Sequence, residues 1–216
     1  MVLSSFFPPG VHYSFTMEQK DITVLSPQEL AQVEKYGTKR LTDFCTGRYC
    51  LRQATAPLGF TGDILIGERG MPLLPADITA SPSHSKTLCG AIAAHRSLYT
   101  SLGFDIETNS RVHKEMWRLL FTQSEIYYLN SLSADEQLLT STVYFSLKEA
   151  FYKLQFPLTH TYLDFLEVEI TNDDGQLAIR LLRDVAEGFV KGQLFAGYMH
   201  HYNGHVITYC TLPARI

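Results

Sequence analysis

Apolar residues recur along this chain at two spacings, and each change of spacing marks an element. Ser26-Pro27-Gln28-Glu29 sets a capping serine, a first-turn proline and a reciprocating glutamate at capping-box spacing, which predicts a helix to about Tyr36. Leu41, Phe44, Cys45 and Leu51 then predict a second helix from Thr38 to Ala56, ended by Pro57 and Gly59. From Thr87 the pattern tightens. Leu88, Gly90, Ala91, Ile92 and Ala93 form one small apolar run, and a second ends in Leu102-Gly103-Phe104-Asp105-Ile106-Glu107, so the two read as adjacent strands. Two more capping boxes, Thr122 with Glu125 and Ser133 with Glu136, open helices, the second continuing through Phe151 and Leu154 until Pro157 stops it. The last third turns to β. Phe165 to Ile170, a turn at Asn172-Asp173-Asp174-Gly175 and Gln176 to Leu182 form one hairpin, and Asn203-Gly204 turns another. Helices mixed with antiparallel hairpins predict an α+β fold.

Composition narrows the picture. The 216 residues are 45% hydrophobic, enough to bury a core in one domain or two small ones, and no linker, low-complexity tract or repeat period interrupts them. A formal net charge of -4 excludes an overall cationic field for nucleic acid or anionic membrane, so any phosphate binding must be local. Cys45, Cys50, Cys89 and Cys210 have no CxxC spacing, which fits free thiols in a reducing compartment and sets the cytosol as the expected location. The first cation is Lys20, without the basic start and apolar run of a secretory signal, and no stretch reaches the roughly 20 apolar residues that span a bilayer.

Candidate chemistry starts at Asp105 and Glu107, which project from one face of their strand while Phe104 and Ile106 point the other way. Taken alone, such a pair is an ordinary solvated face. Glu149 and Lys153 are i,i+4 neighbours on a helix whose Leu147, Ala150, Phe151 and Leu154 face a core; alone, they are a surface pair worth about 0.3–0.5 kcal/mol. Lys39, Arg40, Arg48 and Arg52 give the second helix a local positive excess, with Arg48 and Arg52 sharing a face. His200, His201 and His205 flank a predicted turn and read as a surface cluster, not a zinc site, and Trp117 reads as core packing.

As a set, these motifs resemble the surfactin- and enterobactin-synthetase type of phosphopantetheinyl transferase. That family carries a Gly-x-Asp-x-Glu strand followed, some forty residues on, by a Lys-Glu-Ala/Ser-x-x-Lys helix, matched here by Gly103-Phe104-Asp105-Ile106-Glu107 and Lys148-Glu149-Ala150-Phe151-Tyr152-Lys153. The resemblance runs from Lys39 to about Ile170 and takes in Gly47-Arg48, Arg52, Ala54, Pro72, Ser83-His84-Ser85 and Phe121-Thr122-Gln123-Ser124-Glu125. Phe104 and Pro82 depart from the family pattern. The resemblance implies a pseudo-twofold monomer of two α+β halves, residues 1–104 and 105–216, with coenzyme A in the cleft between them. It implies Asp105, Glu107 and Glu149 as ligands of magnesium, or of manganese in its place, and Glu149, or a water it holds, as the base. Lys153 and Asp105 would meet the coenzyme A pyrophosphate, and Arg40, Arg48, Arg52, Ser83 and His84 its nucleotide phosphates. Glu68, Gly70, Met71 and Pro72 fall where an adenine-proximal loop is expected. Glu125 is secondary, capping a helix with Thr122, and Lys148 is a peripheral cation. The implied activity is transfer of phosphopantetheine to a serine of an apo acyl or peptidyl carrier protein, of nonribosomal (siderophore-like), polyketide or fatty-acid type, releasing 3',5'-ADP. A magnesium-dependent phosphodiesterase and a noncatalytic coenzyme A or carrier-binding module are the alternatives.

Overall fold

The computed structural model describes residues 6–214. Contacts within them define two units, one running to Leu102 and taking in Pro213 and Ala214, the other Gly103–Leu212. The first unit is built from strand β1 (His12–Thr16), helices α1 (Pro27–Val33) and α2 (Thr38–Thr55), and strands β2 (Ile78–His84) and β3 (Cys89–His95). Its sheet is antiparallel in the order β1-β3-β2. Central β3 is buried on both faces, which is why it reads as a continuous apolar run. Its small residues Ala91 and Ala93 pack against Leu51 and Ala54 of α2. Strands β1 and β2 were not among the expected elements, although HYSFT alternates polar and apolar residues throughout and ITASPSH does so from Ile78 to Ser83, as a strand's two faces require. Pro82 lies in β2 opposite Ala91, and an edge strand can hold a residue that lacks a backbone donor.

The second unit takes in strand β4 (Tyr99–Thr108) from Gly103 onward, then helices α3 (Trp117–Leu120), α4 (Gln123–Asn130) and α5 (Ala134–Thr159), then β5 (Val168–Asp173), β6 (Gln176–Leu181), β7 (Leu194–Tyr202) and β8 (His205–Pro213). Its sheet runs β4-β8-β7-β6-β5. Leu147, Ala150, Phe151 and Leu154 of α5 meet Ile170, Ile179, Leu181, Phe195 and Val206 from the sheet. Each buried Leu, Ile or Phe contributes roughly 1.5–3 kcal/mol of transfer free energy, so this face fixes α5 on the strands. Trp117 is buried in the same core.

Three expectations are corrected. The runs at 88–93 and 102–107 are not adjacent strands: β3 has β1 and β2 on its two edges, and β4 belongs to the other sheet beside β8. Pro157 does not end its helix, which closes only at His160 in a left-handed conformation (φ 52). So near the C-terminus, little helix remains for the missing N–H to disrupt. The Asn203-Gly204 turn forms with both residues at positive φ, 47 and 75, as a type I' turn requires, yet His205 beyond it is buried, its Nδ1 2.8 Å from the Asn203 carbonyl. No helix among the described residues is long and apolar enough to cross a membrane.

Candidate active site

Gly103 sets the geometry of the acidic site. A Cβ at this position would collide with the Ala150 carbonyl and come within 2.9 Å of the Cys210 sulfur, so only glycine lets β4 pass so close to α5. Alternate strand residues share a face, and Asp105 follows Gly103 onto the helix-facing side. It is 4% exposed. Lys153 Nζ donates to Asp105 Oδ1 at 2.7 Å and to the Phe104 carbonyl at 3.2 Å, while the Ser146 hydroxyl donates to Oδ2 at 2.9 Å and lies 2.7 Å from the Thr208 hydroxyl. Glu107, the next residue on this face, is held more loosely, with Arg111 Nε at 3.7 Å.

Burial and then repulsion from Asp105 push the Glu107 carboxyl up to about 7, against the pull of Arg111 and Lys153. Burial and Asp105 raise Glu149 as well, with Lys153 opposing. Two carboxyls held in this way favour any cation that can join them. Among the described residues no three Asp, Glu, His or Cys side chains close into a ready-made metal cluster, and Lys153 and Ser146 hold the oxygens of Asp105. The donor chemistry of Asp105, Glu107 and Glu149 nonetheless suits a hard divalent cation with oxygen preference.

Sequence reasoning missed Ser146 and Thr208. Their signal was a hydroxyl inside an apolar run, Phe145-Ser146-Leu147 and Ile207-Thr208-Tyr209, and both side chains are fully buried. Lys148 is corrected: it is not peripheral but buried. Its Nζ donates to Glu125 Oε2 at 2.7 Å and to the carbonyls of Leu120 and Phe165 at 2.9 and 2.8 Å, so all three ammonium protons are placed. Glu125 also accepts from the backbone N–H groups of Thr122 and Ile170, each at 2.7 Å. Burial pushes Glu125 up and Lys148 down, and their short contact opposes both shifts.

The first unit holds a cavity of about 410 Å³ lined by Tyr36, Arg40, Arg48, Ser83, His84 and Cys89, among others. Arg48 dominates its electrostatics. The residue is 5% exposed and its guanidinium lies over the Phe44 ring at 4.3 Å; one terminal nitrogen reaches the Leu65 carbonyl only at 3.4 Å, and Nε has no partner among the described residues. Burial draws its pKa down to about 10, with Glu29 opposing. An under-served buried cation on a cavity wall is a site for an anion. Arg40 lies over the Tyr36 ring at 4.0 Å, His84 Nε2 is 3.6 Å from Asp43 Oδ2, and Gly70 brings its backbone to the cavity at φ 86.

Arg52, expected beside Arg48, is not on this cavity wall. Its guanidinium donates to both oxygens of buried Glu29 at 2.8 Å and to the Val24 carbonyl at 2.8 Å. Of the cations expected at the phosphates, the cavity brings together Arg40 and Arg48, with Ser83 and His84.

Comparison with known proteins bears on both units. A model of the 4'-phosphopantetheinyl transferase N-terminal domain matches residues 28–94, and a model of the 4'-phosphopantetheinyl transferase superfamily matches residues 101–210. The chain is 34% identical over 175 residues to the 4'-phosphopantetheinyl transferase Svp of Streptomyces mobaraensis, covering 79% of this chain and 71% of that protein. It is 30% identical over 172 residues to the 4'-phosphopantetheinyl transferase Npt of Nocardia iowensis, covering 79% and 76%. A solved holo-[acyl-carrier-protein] synthase of Thermotoga maritima matches 53% of this chain and 63% of its own at 18% identity, with a TM-score of 0.43. The two family models span the segments that carry the anion cavity and the acidic strand and helix, and with the long relatives at 30% identity or more they establish that this chain belongs to the 4'-phosphopantetheinyl transferase superfamily.

Proposed function

We propose that this transferase moves the 4'-phosphopantetheine arm of coenzyme A onto the serine hydroxyl of an apo acyl or peptidyl carrier protein and releases 3',5'-ADP. The observation that carries this reading is the assembly of Asp105, Glu107, Glu149 and Lys153 where Gly103 brings β4 against α5. Arg48 and Arg40, with Ser83 and His84, bind the nucleotide phosphate, since a desolvated guanidinium gains most from a doubly charged partner. Arg52 stays on Glu29 and supports α2 rather than touching the ligand.

At the reacting end, Glu149 takes the proton of the incoming serine, directly or through a water; its raised carboxyl holds a proton more readily than an exposed glutamate would. Lys153, anchored on Asp105, presents a compact ammonium to the oxygen that leaves with the adenosine diphosphate. Asp105, Glu107 and Glu149 are the residues that would hold magnesium, or manganese in its place, and the ion when bound neutralises pyrophosphate charge and leaves the β-phosphorus open to in-line attack. Carrier domains of nonribosomal peptide, polyketide or fatty-acid synthesis are the substrate class. The enzyme acts as a monomer in the cytosol, where its four free cysteines stay reduced.

The test is intact mass of a purified apo peptidyl carrier domain after incubation with the protein, coenzyme A and magnesium, with an EDTA control. A gain of one phosphopantetheine that disappears with EDTA is the expected result. No gain on several apo carriers while coenzyme A still binds would replace this reading with a noncatalytic binding module.

A further inference from the structure

Helix α5 uses its buried hydroxyls in two ways. Ser141 and Thr142 reach back along their own helix to the Leu138 carbonyl, at 3.2 and 2.9 Å, the bond that a serine or threonine inside a helix commonly makes. Ser146 turns outward instead. Its hydroxyl donates to Asp105 Oδ2 of β4 at 2.9 Å and meets the Thr208 hydroxyl of β8 at 2.7 Å. Ser146 shares its helix face with Glu149 and Lys153, three and seven residues on, and the Ser146 and Thr208 side chains are both fully buried.

The direction of these bonds follows from counting protons. A carboxylate only accepts, and a hydroxyl carries one proton. Ser146 gives its proton to Asp105, so Thr208 must donate to Ser146, and the chain runs from Thr208 through Ser146 to Asp105 across three elements of one unit. Lys153 holds the other oxygen, Oδ1, at 2.7 Å. Donors on both oxygens set the plane of the carboxylate, and burial shuts water out of the Ser146–Thr208 contact.

We propose that Ser146 is a positioning residue for this site: with Thr208 behind it, its hydroxyl holds the Asp105 carboxylate in the orientation that binds a divalent cation together with Glu107 and Glu149. The inference rests on the reading in the preceding subsection that these three carboxylates hold magnesium. Ser146 acts through Asp105 and touches neither ion nor substrate. A hydrogen bond that orients a metal-binding carboxylate matters to the metal, and its loss typically weakens binding by about 10–100-fold. Were Ser146 and Thr208 only satisfying each other in the core, their loss would lower stability and leave metal affinity alone.

The test takes full-length wild type, Ser146→Ala, Thr208→Val and the double variant. Each is titrated with manganese alone, the free ion being followed by electron paramagnetic resonance, and each is unfolded in urea. Ser146→Ala is expected to bind manganese roughly 10–100-fold more weakly. Thr208→Val, which still leaves Ser146 to donate, loses less. The double variant binds no more weakly than Ser146→Ala, because Thr208 acts only through Ser146. Urea midpoints separate this from damage to the core. Ser146→Ala strands the buried Thr208 hydroxyl, so adding Thr208→Val should recover part of the midpoint and none of the affinity. Unchanged manganese affinity in Ser146→Ala overturns the proposal, as does affinity that returns with the midpoint in the double variant. A double variant weaker than Ser146→Ala removes Thr208 from the chain. Should Ser146→Ala fail to fold, weaker binding by Thr208→Val with wild-type binding by Thr208→Ser supports the proposal, and equal binding by the two overturns it. Wild type that binds no manganese overturns the metal reading itself and this inference with it.

Discussion

Each unit of this protein anchors its long helix with a buried capping glutamate, and the two anchors match almost part for part. In the first, Glu29 completes the capping box of α1, accepts from the Ile64 N–H at 2.8 Å and pairs with Arg52 of α2. In the second, Glu125 completes the capping box of α4, accepts from the Ile170 N–H at 2.7 Å and pairs with Lys148 of α5. The paired residues are 23 apart in sequence in both. What differs is the residue that each anchor leaves available. One turn before Arg52 stands Arg48, a desolvated cation on an anion cavity; immediately after Lys148 stands Glu149, a desolvated carboxyl beside Asp105. The same internal pairing thus leaves opposite charges available, and it separates the residues that hold a helix from those proposed to meet a ligand.

The strongest way to test this division is to strike the outward residue of the second unit. Glu149→Gln should lower the transfer rate on the order of a thousandfold, the scale of losing a group that acts in the transition state, with the urea unfolding midpoint unchanged. Normal turnover by this variant would remove the carboxyl from the mechanism. Striking the anchor should do the reverse. Lys148→Met strands Glu125 as a buried, unpaired acid and should cost about 3–5 kcal/mol in urea unfolding. Arg52→Met should cost less, about 2 kcal/mol, because the Arg52 side chain is 21% exposed and water can enter behind it. Equal losses would mean that the two anchors are not distinguished by solvent access.

In the first unit, Arg48→Ala should weaken coenzyme A binding by about 10–100-fold in calorimetry, the range for a charge-assisted hydrogen bond, and Arg52→Ala by only a few-fold. Arg52→Ala weakening binding as much as Arg48→Ala would return Arg52 to the ligand set.

The smallest effect expected is a pH dependence confined to the second unit. Glu107 is raised in the fold to about 7 from an ordinary 4.5, so it favours the protonated fold. Its contribution to the stability of the metal-free protein is complete below about 4.5 and is lost as pH rises through about 7. Magnesium needs the carboxylate, so its affinity should climb over that same window and level off above it. Titrations of magnesium affinity between about pH 5.5 and 8.5 would read the midpoint, and a flat profile would separate Glu107 from the metal.

Features bonded over three or four residues were legible in the sequence. The three capping boxes expected at Ser26, Thr122 and Ser133 and the hairpin turns at Asp174-Gly175 and Asn203-Gly204 follow from local chemistry, and each is present; a fourth box, Asp164 with Glu167, is as local but was not read. The Gly-x-Asp-x-Glu strand and the Lys-Glu-Ala-x-x-Lys helix were readable as motifs, but the reason for their glycine, contact with the Ala150 carbonyl, was not.

Tertiary structure decided the rest. Lys148 and Lys153 lie on the same helix with the same charge. One is fully buried on Glu125 and the other is 28% exposed on Asp105, because the strands and α4 happen to surround one face of α5. Arg48 and Arg52 share a helix face by spacing, yet Glu29, 23 residues before Arg52, takes that guanidinium and leaves the other to the cavity. Ser146 and Asp105, 41 residues apart, meet by packing alone. The sequence by itself determined which turns and helix starts form, since their hydrogen bonds close within one turn of chain; which charges are paired, buried or left for a ligand depended on partners tens of residues away, brought together by the cores of the two units.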